Sequence, residues 1–492
     1  MSLSQIKKGA MLGYADIFIT NAVGIFLTPF IVHSLGNSEY GLYSLIGSFV
    51  AYISLMDMGL NNTIIRFVSK FRAQNDIIGE RKFLGTTLLI YLAISLIVII
   101  IGVAMYFNTD TIFQHSLSAE EISKAKIMVA ILIFNIAVVL PSGTFTAICI
   151  GYEHFVYPKL IRIVRVLLRS ATVVAILSQG GDAISLVVID TLFNLLFALV
   201  SYIYTKKKLK IKYDFTQFNF SAIKPIVSYS IWIFIIAITQ YMQWQCGSFV
   251  VGIATDTTQV AIYSIGIVLG SYFGAFSSVV NSMLLPKASK MVQEGATSTS
   301  LTDVMIKVAK YNNLVSFFIL GGFVLLGRDF IFLWLGVDYE TAWQLALFIM
   351  IVSLIPLSQS MGMSILEAKN KIRFRAIFNL VTLFIGVIIG YILTKKYGIV
   401  GMNYAICSAM LINSIAITFY FKKTFGFRIF RFFNKSLSPM LLSSAALVTV
   451  LFLLKQYFIF ENTWLNFFIS GCVYFILYAL FAYILYLRRG LK

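Results

Sequence analysis

Residues 83–106 read FLGTTLLIYLAISLIVIIIGVAMY, 24 positions without one charged side chain. At a rise of 1.5 Å per residue, a helix of that length is about 36 Å long, enough to cross a hydrocarbon core about 30 Å thick. Only helices and closed barrels satisfy their backbone groups in lipid. The run is continuous rather than alternating, which selects a helix over a barrel strand.

Similar stretches fill the chain on both sides. They lie near 10–33, 41–65, 125–150, 158–178, 183–204, 223–250, 258–285, 305–326, 341–365, 374–394, 400–421, 437–457 and 464–487. At about 20 residues each, fourteen stretches consume roughly 280 residues and leave roughly 14 for each connection or tail. No soluble domain fits, which weighs against an enzyme with a large extramembrane catalytic domain. Composition agrees, with 59% hydrophobic and 12% charged residues where a soluble domain carries roughly 25% charged. The expected fold class is an all-α integral membrane protein of about 14 transmembrane helices. The short basic stretch ahead of the first apolar run reads as the lead into an uncleaved span, since no small-residue cleavage site follows it. Cys149, Cys246, Cys407 and Cys472 all fall in apolar stretches with no CxxC spacing, so neither a metal nor a disulfide is expected.

The net charge of +19 invites a nucleic-acid reading, but its distribution points to topology. With the N-terminus inside, alternate connections collect 33 of the 39 Lys and Arg. The other six are Lys124, Lys126, Arg328, Lys395, Lys396 and Lys455. That asymmetry follows the positive-inside rule and places both ends in the cytoplasm of a cell with this protein in its inner membrane. Lysines beside the membrane, such as Lys206, Lys207 and Lys208, also attract anionic lipid headgroups. No nucleic-acid partner is expected.

The two halves resemble each other. Residues 61–70 (NNTIIRFVSK) align at an offset of 220 with residues 281–290 (NSMLLPKASK), and Tyr43-Ser44-Leu45 falls on Tyr263-Ser264-Ile265 at the same offset. A parallel repeat of six spans follows, with an N-lobe over 1–205, a cytoplasmic linker over 206–222, a C-lobe over 223–424 and an appended helix pair over 425–492. Transporters built from such repeats hold their substrate near the membrane midplane between the two halves.

Several short motifs carry a family likeness. Pro29-Phe30-Ile31-Val32-His33-Ser34-Leu35-Gly36-Asn37-Ser38-Glu39-Tyr40-Gly41-Leu42-Tyr43 resembles the first outer loop of bacterial polysaccharide flippases of the O-antigen and teichoic-acid type. Asp57-Met58-Gly59-Leu60 with Asn61 and Arg66, Gly151-Tyr152-Glu153-His154-Phe155, and Tyr397-Gly398-Ile399-Val400-Gly401 are similar to that family as well. These flippases belong to the multidrug/oligosaccharidyl-lipid/polysaccharide exporter superfamily. The resemblance implies a V-shaped pair of six-helix lobes, alternating access and an undecaprenyl-diphosphate-linked oligosaccharide as substrate. Lipid II flippases of the same superfamily carry arginines in the first span. Here that span has Asp16 and Asn21 and no arginine, which argues against a peptidoglycan-precursor role.

Charged groups inside a membrane cost at least about 2.5–3.5 kcal/mol on insertion scales, so they mark partners or wet cavities. Arg162, Arg165 and Arg169 fall within about 60° of one another on the fifth span. If that helix enters near Pro158, Arg169 lies roughly 16 Å deep. Guanidinium forks match phosphate oxygens, so the stripe is the first substrate-site candidate. The bland reading is that Arg162 snorkels to the surface while a deeper arginine pairs with an acid on another helix. Asp16, Asp57 and Asp190 are candidates for pairing with those arginines or for carrying a coupling proton or sodium ion. Asp190 and Asn194 share a helix face, as do Asp57 and Asn61.

Gln240, Gln243 and Trp244 share a face of the seventh span and suit sugar hydroxyls and ring faces, although such residues also serve as helix–helix contacts. Asn61, its repeat partner Asn281, and Arg66 complete the substrate-site candidates. No GxxxxGK[ST] motif is present, so energy is expected from an ion gradient, the membrane potential or substrate removal, with no cofactor. The competing function is an ion-coupled multidrug or organic-cation exporter of the same superfamily. A cation substrate favours an acidic, aromatic cavity, and the arginine stripe favours an anion instead.

Overall fold

The structure, a computed structural model, describes residues 3–54, 60–114, 116–215, 220–281, 288, 291–369, 371–457 and 462–483. Side chains are described at these positions except 3–10, 14, 49–54, 62, 220–233, 236–237, 275–281 and 456–457. Among the described residues the regular structure is entirely helical.

The first half holds α1 (Leu3–Ser54), α2 (Leu60–Ala73), α3 (Ile77–Phe113), α4 (Ala119–Gly151), α5 (Val156–Leu177), α6 (Ala183–Lys207), α7 (Phe220–Ala254) and α8 (Thr257–Asn281). The second holds α9 (Ser298–Leu335), α10 (Glu340–Ser358), α11 (Ser360–Ala368), α12 (Arg373–Tyr397) and α13 (Ile399–Phe425). It continues with α14 (Ile429–Ser436), α15 (Ser438–Tyr457) and α16 (Trp464–Ala482). Ten segments among the described residues are long and apolar enough to cross a membrane. Four cations interrupt α5, which leaves it outside that set.

The stretch quoted first lies in α3 and shows how the membrane is met. Leu92, Leu96, Ile100, Val103 and Phe107 recur every three or four residues and are exposed, Phe107 at 72%. Tyr91, Ile94 and Val98 on the other side are buried. A helix exposing such a stripe is facing lipid.

Helix ends follow local chemistry. Ser118 and Glu121 form a reciprocal capping box at the start of α4, and Asp182 with Ser185 does so for α6. The first outer loop, expected between runs ending at 33 and starting at 41, shrinks to one break inside α1. There Gly36 adopts φ 76°, ψ 170°, a conformation open to glycine and strained for other residues. The expected single run 341–365 is two helices meeting at Gln359. Pro356 cannot donate to the helical ladder, and Ser358 Oγ donates to Leu354 O at 2.7 Å beside the joint.

Residues 208–213, KLKIKY, lie in the expected linker. Leu209, Ile211 and Tyr213 turn into the core formed by α2, α3 and α4, whereas Lys208, Lys210 and Lys212 are exposed. The Asp214 N–H donates to Arg81 O at 3.1 Å. A Cβ at Gly85 would sit 2.0 Å from Asp214 O, so only glycine lets this strap lie against α3.

The chain divides into two compact units, Met1–Ala261 and Ile262–Lys492. In the second unit the core gathers Leu301, Met305, Ile365, Ile417, Phe421 and Phe432 from α9, α11, α13 and α14.

Candidate functional site

The first unit brings α1, α5 and α6 together around the cationic face of α5. Its sequence, VYPKLIRIVRVLLRSATVVAIL, places a cation every three or four residues, so all four project from neighbouring turns of one side. Their partners come from the other two helices. Asp16 of α1 is buried, at 1% exposure, and pairs with Lys159 Nζ at 3.5 Å and Arg162 Nε at 3.4 Å. Thr20 Oγ1 donates to the same carboxylate at 3.5 Å.

One turn further along, Arg165 Nη2 donates to Asn194 Oδ1 of α6. Asn194 Nδ2 donates to Asn135 Oδ1 at 2.9 Å, and Asn135 Nδ2 donates to Thr191 Oγ1 at 3.0 Å. Deeper still, Arg169 Nε donates to Asp190 Oδ1 and Arg169 Nη2 to Asp190 Oδ2 at 3.2 Å. Tyr43 OH of α1 donates to Asp190 Oδ2 at 3.0 Å and accepts from Arg169 Nη2 at 3.2 Å. Arg169 and Asp190 are each only 25% exposed, whereas Arg162 is 61% exposed.

The balance of charge on this face is uneven. Lys159, Arg162, Arg165 and Arg169 bring four positive charges, and among the described contacts only Asp16 and Asp190 answer them. Two cations share Asp16, and Arg165 rests on a neutral amide. In a low-dielectric setting the surplus attracts an anion strongly. Guanidinium groups supply planar paired donors for phosphate or carboxylate oxygens.

The remaining candidates sit elsewhere. Asn61 and Arg66 are on α2, Arg66 exposed. A Cβ at Gly143 of α4 would lie 2.9 Å from Asn61 Nδ2, so α2 and α4 approach closely there. Gln240, Gln243 and Trp244 are on α7, with Gln240 exposed and the other two half-buried. The described contacts of the arginine face come from α1, α4, α5 and α6 and do not include them. Asn281 ends α8 and its side chain lies outside the described part, as does the whole of Asp57.

Sequence reasoning missed Tyr43, Lys159 and Asn135. The three-residue spacing of the cations is the signal that could have found Lys159, one turn before Arg162. Tyr43 stands in the repeat and the family-like segment, but nothing in the sequence ties it or Asn135 to the stripe, since their partners lie 147 and 59 positions away.

Comparison with known proteins places the chain in a family. Residues 7–292 match the model of the family described as "Polysaccharide biosynthesis protein". The chain belongs to that family. It is 24% identical over 486 residues to the "Uncharacterized membrane protein EpsK" of Bacillus subtilis (strain 168), covering 94% of this chain and 92% of that protein. Its fold matches a solved structure of the lipid II flippase MurJ in an inward closed conformation. The TM-score there is 0.73 at 16% identity, covering 97% of this chain and 99% of the other. An inward-facing transporter of the multidrug-resistance MATE family gives a TM-score of 0.65 at 12% identity, covering 83% and 94%. This member of the polysaccharide biosynthesis family therefore has an all-α, multi-pass membrane fold similar to the folds of those two proteins.

Proposed function

We propose that this protein flips an undecaprenyl-diphosphate-linked oligosaccharide from the cytoplasmic to the outer leaflet of the bacterial inner membrane, for surface polysaccharide synthesis. The observation that carries the reading is the surplus, among the described residues, of two positive charges on the α5 face, where Arg165 donates to the neutral Asn194 amide. A lipid diphosphate drawn from the cytoplasmic leaflet replaces that amide and shares Arg162 and Arg169 with their carboxylates. Asp16 and Asp190 act as exchangeable counter-ions that reclaim the arginines when the substrate leaves.

On this reading the lobes 1–205 and 223–424 alternate in access, the pair 425–492 is appended, and both termini are cytoplasmic. Gln240, Gln243, Trp244, Asn61 and Asn281 meet the sugar, and Arg66 meets the substrate at the cytoplasmic end. A proton or sodium ion at Asp16, Asp57 or Asp190 couples the cycle.

The test is flipping of a fluorescent undecaprenyl-diphosphate oligosaccharide in proteoliposomes, comparing the wild type with Arg165→Gln. A charge-assisted hydrogen bond contributes about 1.5–3 kcal/mol, so the initial rate is expected to fall about 10- to 100-fold with folding intact. Equal rates would remove Arg165 from the substrate path. Export of an organic cation by a wild type that moves no lipid diphosphate would overturn the flippase reading.

A further inference from the structure

Helix α14 is short, and its two sides differ sharply. Phe432 and Ser436 are buried against the second unit's core, and Arg431 pairs with Asp303 of α9 at 2.7 Å. The Arg428 N–H donates to Thr302 Oγ1 at 3.5 Å, fixing the approach to the helix. On the opposite side, Phe430 and Asn434 point away within about 40° of each other. Phe430 is 91% exposed, more than any other large hydrophobic side chain among the described residues. Lys422, Lys423, Arg428 and Lys435 are exposed around it. Lys369, from the turn before α12, lies over the Phe425 ring at 5.9 Å and joins a second basic stretch to the first.

We propose that α14 and the basic turn leading into it form a docking surface for anionic phospholipid headgroups, with Phe430 seated at the boundary of headgroup and acyl chain. Position in the chain separates a lipid from a soluble polyanion. Helix α14 begins four residues after α13 ends and α15 begins two residues after α14 ends. The candidate spans here are Ile399–Phe425 and Ile429–Lys455, and α14 with its cations forms the opening turns of the second, so the short helix lies at the end of a span, where the membrane stops. An aromatic ring pointing outward among cations at that depth is the pattern of an interfacial helix, and cations there draw anionic lipid. An acidic protein or a nucleic acid would be served by the cations and would leave the ring in water. The inference is independent of which substrate the protein carries.

The test has two readouts on the full chain in vesicles. A spin label at Phe430→Cys, in a Cys472→Ser background because the other three cysteines are buried, is expected to be accessible to oxygen and shielded from a water-soluble nickel chelate. The reverse pattern puts the site in water and overturns the proposal. Native mass spectrometry after extraction from phosphatidylglycerol-containing vesicles then compares the wild type with Lys422→Gln, Lys423→Gln and Arg428→Gln. Each change is expected to weaken retention of the anionic lipid about fivefold while leaving phosphatidylcholine retention unchanged. Equal loss of both lipids, or no loss, overturns the assignment to anionic headgroups. Lys435→Gln, at an exposed position of α14 itself, repeats the comparison should a turn variant fail to fold.

Discussion

The two units bury polar groups in opposite ways. In the first, the α5 face sets four cations against two carboxylates and leaves Arg165 on an amide. In the second, the joint of α10 and α11 is closed by neutral groups alone. Asn313 Nδ2 donates to Ser436 O at 3.0 Å, and Asn313 Oδ1 accepts from Ser358 Oγ at 2.5 Å. Asn312 Nδ2 donates to Ser360 Oγ at 2.9 Å, and Gln359 Nε2 to Thr418 Oγ1 at 2.6 Å. All of these residues are at least 95% buried. The neutral network meets broken backbone at low electrostatic cost, with Asn312 Oδ1 and Gln359 Oε1 accepting no hydrogen bond among the described residues. A charged face with surplus cations gains little for folding from that surplus, which makes it the better candidate for work on an ion.

The contrast breaks most clearly by exchange of effects. Arg165→Gln is expected to lower flipping about 10- to 100-fold and to move the thermal midpoint by little, since a glutamine still meets Asn194. Parallel transport and melting measurements check this. A large loss of stability with normal flipping per folded molecule would reassign the stripe to structure.

Asn313→Leu should do the converse. It leaves Ser436 O without the Asn313 amide, at about 1–3 kcal/mol, while Ser358 Oγ keeps Leu354 O. Thermal unfolding in detergent is expected to show the loss, and flipping by the folded fraction is expected to hold. A transport defect without destabilisation would make the neutral joint part of the cycle.

Asp190→Asn tests the coupling between the two roles. It removes the charge that holds Arg169 and keeps the shape, so Arg169 is left with Tyr43 and an amide. Affinity for a lipid diphosphate is expected to rise several-fold, because the anion no longer competes with a carboxylate, while turnover falls because release slows. Titration of bound fluorescent substrate against the wild type reads the first effect. Unchanged affinity would mean that Arg169 never exchanges partners.

The difference between the units also decides what was legible beforehand. The span of α3 and the stripe Arg162–Arg165–Arg169 needed only length, hydropathy and helical spacing, and those are local. The partners were not local. Asp190 was visible as an intramembrane acid, but its pairing with Arg169 and Tyr43 depends on how α1 and α6 pack beside α5. The joint at Gln359 escapes a hydropathy reading because its run is apolar on average, although Pro356 and Ser358-Gln359-Ser360 stand at the break; their partners Asn312, Asn313, Thr418 and Ser436 come from α9, α13 and α14. The strap over 208–213 carries an alternating pattern that spacing rules can find. Its docking on Gly85 rests on a backbone approach that no pattern records.

The smallest effect concerns the cap that starts α6 and so holds Asp190 and Asn194 in register. Burial alone would raise the Asp182 carboxyl. The Ser185 N–H and O–H that it accepts, at 2.9 and 2.7 Å, outweigh this and hold it below the usual carboxylate range. A carboxyl depressed in the folded state stabilises above its unfolded value near about 4, and that stabilisation is lost as pH falls through the lower folded value. Asp182→Ala is therefore expected to cost about 1 kcal/mol at neutral pH. The gap between mutant and wild-type melting should stay constant down to about pH 5 and close below about pH 4. A gap that persists in acid would mean that the cap works through shape alone, and one that closes near neutrality would place the carboxyl above the range its partners impose.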